Sequence, residues 1–97
     1  MNSGRALKPA EAKALLVKIL IDGGSVEFRP HARREMAKDA ITEAEVLEVL
    51  RGGVVEPAEW ENGEWRYRAR RTTVYVVVTF LAETHTAVVT AWKRKRR

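Results

Sequence analysis

The run Thr73-Val74-Tyr75-Val76-Val77-Val78-Thr79-Phe80-Leu81 constrains this chain more than any other stretch. It is dense in β-branched and aromatic residues, which favour extended backbone, and it is followed by Ala82-Glu83-Thr84-His85, which has the length of a hairpin loop. Its even-numbered positions, Val74, Val76, Val78 and Phe80, are all apolar. Successive strand side chains point to opposite faces, so this set should face a core and leave Tyr75, Val77 and Thr79 on the other side.

Two further strands are expected beside it. Glu64 to Arg70 places Arg66, Arg68 and Arg70 on one face and Trp65, Tyr67 and Ala69 on the other. Thr86 to Trp92 is also β-branched and leads into Lys93-Arg94-Lys95-Arg96-Arg97, but alternation does not decide which of its two sets faces inward. From Glu64 onward there are nine Lys/Arg against two acids, a net of +7; residues 1–63 carry nine against eleven, a net of −2. Positive charge is thus concentrated on the strand half of the chain, which favours polyanionic or acidic partners.

The first half reads as helical. Residues 1–8 lack apolar periodicity and are expected to be a flexible lead-in, as are residues 94–97 at the other end. Pro9 and Glu11 suit a helix start, and Ala12, Leu15, Leu16, Ile19 and Leu20 recur at helical spacing up to Gly23-Gly24. Val26 to Arg29 is a short extended piece. Pro30 then opens a helix over 31–39 with Ala32 and Met36 inward, while His31 and Arg34 share another face. Thr42-Glu43-Ala44-Glu45 is a capping box, followed by Val46, Leu47, Val49 and Leu50 and a stop at Gly52-Gly53. Val54 to Glu56 is a candidate strand, and Glu61-Asn62-Gly63-Glu64 a turn.

At 97 residues, one domain spanning 1–97 is the expectation. The element order predicts an α+β fold: an antiparallel sheet of three to four strands with two to three helices packed on one face. There is no cysteine, which excludes disulfides and thiolate metal sites, and two separated histidines are poor material for zinc, so neither a metal nor another cofactor is expected. No apolar run approaches the ~20 residues of a membrane helix. A cytoplasmic protein without membrane contact is therefore expected.

If Arg66, Arg68 and Arg70 share a face with Tyr75, and Lys93 joins them, that surface suits RNA. Guanidiniums pair with phosphates, and Tyr75 or an exposed Trp stacks on an unpaired base. The same groups could assist a 2′-hydroxyl in attacking the adjacent phosphate, protonate the leaving oxygen and stabilise the developing charge. His31 could serve as acid or base because imidazole titrates near neutrality, whereas His85 is read as structural. Alternating arginines also solvate open sheet faces, and strand tyrosines also simply pack. Residue chemistry alone therefore favours nucleic-acid binding over catalysis.

The helix ending at Gly23-Gly24, the Val74–Thr79 strand and the closing Val88-Val89-Thr90-Ala91-Trp92-Lys93 strand resemble the RelE-like ribonuclease toxins, and among them the motility quorum-sensing regulator (MqsR) family. His31-Ala32-Arg33-Arg34-Glu35-Met36 with Ile41 to Val46 is similar to small domains that begin with a His-Ala-Arg motif. The resemblance implies a RelE-like fold and a metal-independent mRNA endoribonuclease, the toxin of a type II module, held in check by a cognate antitoxin protein. Carried over by position, it implies activity-associated roles for Tyr75 and Lys93. The glutamine of the MqsR pattern falls at Arg66, and no lysine lies within 54–61. The candidate catalytic set is then Tyr75, Lys93, His31 and Arg66, with Arg68, Arg70, Arg34 and Arg94 as RNA-binding residues. The rival expectation is a non-catalytic basic module that binds RNA or an acidic protein through the same face.

Overall fold

The computed structural model describes residues 4–95, and its order is α1 (Pro9–Ile21), β1 (Ser25–Phe28), α2 (Pro30–Lys38), α3 (Glu43–Gly52), β2 (Val54–Val55), β3 (Glu59–Glu61), β4 (Glu64–Arg71), β5 (Val74–Ala82) and β6 (His85–Lys93). The fold is α+β. Strand order is β1-β6-β5-β4-β2, with β3 also on β4, so the sheet has six strands rather than three to four. It is mixed rather than antiparallel, because β1 runs parallel to β6 with Val26 opposite Thr86 and Phe28 opposite Val88. A parallel neighbour needs a crossover connection, and α2, α3 and the β2–β5 segments supply it.

Local chemistry sets the helix ends. Thr42 Oγ1 accepts the Glu45 N–H at 3.1 Å and Glu45 Oε1 accepts the Thr42 N–H at 3.0 Å, so the expected capping box is formed. Backbone hydrogen bonding to Thr42 holds the Glu45 carboxyl below the usual carboxylate range. Pro9 and Pro30 occupy first turns, where the missing N–H costs nothing. Asn62 and Gly63 both take positive φ, 51° and 78°, which a tight two-residue hairpin between β3 and β4 requires. β3 itself was not legible in the sequence: Glu59-Trp60-Glu61 shows a strand only through its pairing with Trp65 and its neighbours.

The inward set on β5 is as expected, with Val74, Val76 and Val78 buried and Tyr75 and Val77 half-buried on the opposite face. The core joins these valines to Tyr67, Ala69, Val88 and Ala91 from the sheet and to Leu16, Met36, Val46 and Leu50 from the helices. Each buried valine, leucine or methionine here contributes about 1.5–3 kcal/mol by leaving water. Leu7, in the segment expected as a lead-in, packs against this core, and its N–H donates to Tyr67 Oη at 2.8 Å. Met1–Ser3 and the last two arginines of the basic run lie outside the described residues.

The junction between α3 and β2 is built on close backbone approach. A Cβ placed on Gly53 would sit 2.5 Å from the Val49 carbonyl oxygen and 2.6 Å from that of Arg70, neither of which can rotate away. Gly53→Ala should therefore destabilise the fold by about 1–3 kcal/mol, read as a lower urea midpoint. An unchanged midpoint would show that this approach relaxes without cost.

Candidate nucleic-acid interface on the outer sheet face

Directly paired residues in an antiparallel sheet project to the same side, so register assigns the outer face. Arg70 pairs with Tyr75 and Arg68 with Val77 across β4–β5, while Tyr75 pairs with Trp92 and Val77 with Thr90 across β5–β6. Arg68, Arg70, Tyr75 and Trp92 therefore share the face opposite the valine core. The Tyr75 and Trp92 rings are stacked, 5.3 Å between centroids and 5° between planes. The Arg68 guanidinium lies 5.8 Å from the Tyr75 centroid, within cation–π range, and Arg94 Nη1 donates to Tyr75 Oη at 3.4 Å.

Lys93 does not join them. A register shift in β6 sets Val77 opposite Thr90 but Val78 opposite Val88, so Val89 is an extra residue and side-chain parity reverses there. Lys93 consequently pairs with Val74 on the helix-bearing side, with its Nζ 3.8 Å from Glu45 Oε2 and its backbone N–H donating to Asp39 Oδ2 at 2.8 Å. The single patch expected to gather Arg66, Tyr75 and Lys93 is thus divided, with Lys93 on the other side of the sheet. His31 and Arg34 are exposed on α2, which packs beside β6, and no hydrogen bond joins either to the Tyr75 cluster among the described residues.

The strand arginines are also less free than their number suggests. Glu56 accepts from Arg68 Nη2 at 2.5 Å and from Arg70 Nε at 3.0 Å. Arg66 bonds Glu61 at 2.6 Å and Glu64 at 2.9 Å, and Glu64 also takes a bidentate pair from Arg29 at 2.7 and 3.0 Å. The Arg68 hydrogen bond holds the Glu56 carboxyl below the usual range, and the Arg29 hydrogen bond does the same to Glu64. Each exposed pair adds little to stability, but together the acids cancel much of the face's field. Two members of the site escaped sequence reasoning. Trp92 could not be assigned a face without the β6 register shift, and Glu56 could not be matched to Arg68 and Arg70 without the β2–β4 pairing.

The depressed Glu64 fixes a pH dependence. A carboxylate whose folded pKa lies below its unfolded value of about 4.3 contributes stability that is present above that value and is lost as pH falls through the folded pKa. Melting temperatures followed from about pH 6 to about pH 3 should therefore fall more steeply for the native chain than for Glu64→Gln. Parallel curves would remove the Arg29–Glu64–Arg66 network as a source of that dependence.

These features define a small α+β domain whose mixed sheet presents an aromatic stack edged by guanidiniums. Residues 28–93, which is 66 of the 97 positions, match the family described as Domain of unknown function (DUF4258), and the chain belongs to that family. The matched span begins at the end of β1 and closes at Lys93, and so contains the whole outer-face cluster except Arg94. No curated protein and no solved structure matches the chain. Among the described residues no helix is long and apolar enough to cross a membrane.

Proposed function

We propose that the outer face binds single-stranded RNA and cleaves it, as the toxin of a toxin–antitoxin pair in the manner that the RelE-like resemblance implies. The observation that carries this reading is the parallel Tyr75–Trp92 stack with Arg68, Arg70 and Arg94 around it. An unpaired base extends such a stack, and adjacent phosphates take Arg94 and, once they leave Glu56, Arg68 and Arg70. Cleavage then follows without metal. The 2′-hydroxyl loses its proton to solvent water as it attacks the neighbouring phosphorus, the bond to the 5′-oxygen breaks, the Tyr75 phenol protonates that oxygen and regains a proton from solvent, and arginine charge stabilises the crowded phosphate. Lys93, beside Glu45, has no part in this step.

A second reading, binding of RNA without cleavage, is favoured by that position of Lys93 and by the carboxylate on each strand arginine. Purified protein incubated with end-labelled single-stranded RNA and excess chelator separates the two. The toxin reading expects fragments ending in 2′,3′-cyclic phosphate. Intact RNA in a salt-sensitive complex selects the second reading, and no complex at all removes both. With three arginines engaged, the slope of log affinity against log salt should be about −2.

Glu56 is the intramolecular competitor in either case. Glu56→Gln should release Arg68 and Arg70 and tighten RNA binding about two- to fivefold at low salt. Weaker binding would show instead that Glu56 positions the arginines for the phosphate.

A further inference from the structure

A groove of about 790 Å³ opens at the end of the sheet away from Trp92, between the segment before α1, the start of α1 and the β3–β4 hairpin. Its volume falls within the range of small-molecule sites, and its walls are of the usual kind for one, apolar and aromatic with a few polar groups. Leu7, Leu15, Trp60, Trp65, Tyr67 and Phe80 line it. Trp60 is 53% exposed and meets Trp65 edge-on at 5.1 Å between centroids, while Tyr67 and Phe80 pack at 5.3 Å. A large indole left half in water beside a groove of other rings is a ready stacking surface.

Two polar features narrow the occupant. The Trp65 indole nitrogen is buried without an acceptor among the described residues, and an unmet buried donor costs enough that a ligand acceptor reaching it gains affinity. Arg5 and Lys8 line the same groove and have no carboxylate partner among the described residues. Of the rim carboxylates, Glu64 is held by Arg29 and Arg66, while Glu11 accepts only the neutral Lys8 backbone N–H and Glu83 has no cation partner among the described residues, so Arg5 and Lys8 stand opposite two carboxylates without forming an ion pair with either. Rings, a donor and two cations without ion-pair partners together match a planar base that carries acceptors and an attached phosphate.

We infer that this groove is a mononucleotide-binding site in which the base stacks on Trp60, an acceptor on the base takes the Trp65 indole N–H as Trp60 shifts, and Arg5 and Lys8 hold the phosphate. The site is independent of the outer-face reading. Its rings project from the helix-bearing side, where Trp65 and Tyr67 alternate along β4 with Arg66 and Arg68.

The three tryptophans supply the test. In ¹⁵N-labelled full-length protein the indole N–H signals of Trp60, Trp65 and Trp92 can be assigned from single Trp→Phe variants, and adenosine 5′-monophosphate is titrated as the probe. Saturable movement of the Trp60 and Trp65 signals together, with adenosine binding several-fold more weakly, is the expected result. Trp65→Phe should weaken the nucleotide roughly tenfold, and Trp60→Ala tenfold or more. Movement of Trp92 alone would place the nucleotide on the outer face and overturn the groove site, as would equal affinity for adenosine and its monophosphate. A six-nucleotide RNA that moves the groove signals at far lower concentration than the monophosphate would reassign the groove to an RNA chain. Movement with an amphipathic peptide but not with the nucleotide would reassign it to a protein partner.

Discussion

Tyr75→Phe should lower RNA cleavage by about 10²–10⁴-fold, the range in which a positioned acid or base contributes, while RNA affinity changes little. The substitution keeps the ring that stacks on Trp92 and lies beneath Arg68, and removes only the Oη that accepts from Arg94 and would protonate the leaving oxygen. A structural role for Tyr75 predicts the reverse pattern. Phenylalanine would then preserve both binding and cleavage, and only Tyr75→Ala, which removes the stack, would damage them. Measuring single-turnover cleavage and complex formation on the same RNA separates these cases. Unchanged cleavage in the phenylalanine variant would take Tyr75 out of the chemistry.

Leu16→Ala should destabilise the fold by about 2–5 kcal/mol. Leu16 is fully buried on α1 within the cluster that holds Val46, Leu50 and the β5 valines, and truncation leaves a cavity that the packed helices and sheet close only in part. A domain of this size loses about 1–3 kcal/mol of stability per molar urea, so at a slope of about 2 the midpoint should fall by about 1–2.5 M. The result bears on where the folding unit begins. α1 precedes the family-matched span of 28–93, yet Ala12 and Leu16 fill its core and Lys13 Nζ donates to the Gly53 carbonyl at 2.7 Å at the end of α3. A midpoint shift below about 0.5 M would mean that the matched span folds with α1 as an accessory.

The strand arginines carry a wider lesson about charge counts. A net of +7 from Glu64 onward reads as an open cationic face, yet Glu56, Glu61 and Glu64 fold back onto Arg66, Arg68 and Arg70. What a polyanion meets is a set of exchangeable ion pairs around an aromatic stack. If the outer face binds RNA as proposed, affinity should depend on how cheaply the glutamates let go, with ionic strength and Glu56 as the two sensitive controls.

Much of this protein was written locally. The three helices, the Thr42–Glu45 box, the Asn62-Gly63 turn and the inward valines of β5 follow from capping, from positive-φ turn residues and from periodicities of 3.6 and 2, all of which act over a few neighbours. The parallel placement of β1 beside β6 and the pairing of β3 with β4 depend on which distant strands meet, and side-chain pattern alone does not specify partner or direction. The decisive case is β6. Alternation along Thr86 to Lys93 assumes an unbroken pleat, but the extra residue at Val89 reverses parity, sending Trp92 out to Tyr75 and Lys93 in toward Glu45. Nothing in the identity of Val89 marks it as a bulge; only the fit of β6 between β1, β5 and α2 does, and that fit decides which cations can share a site with the phenol.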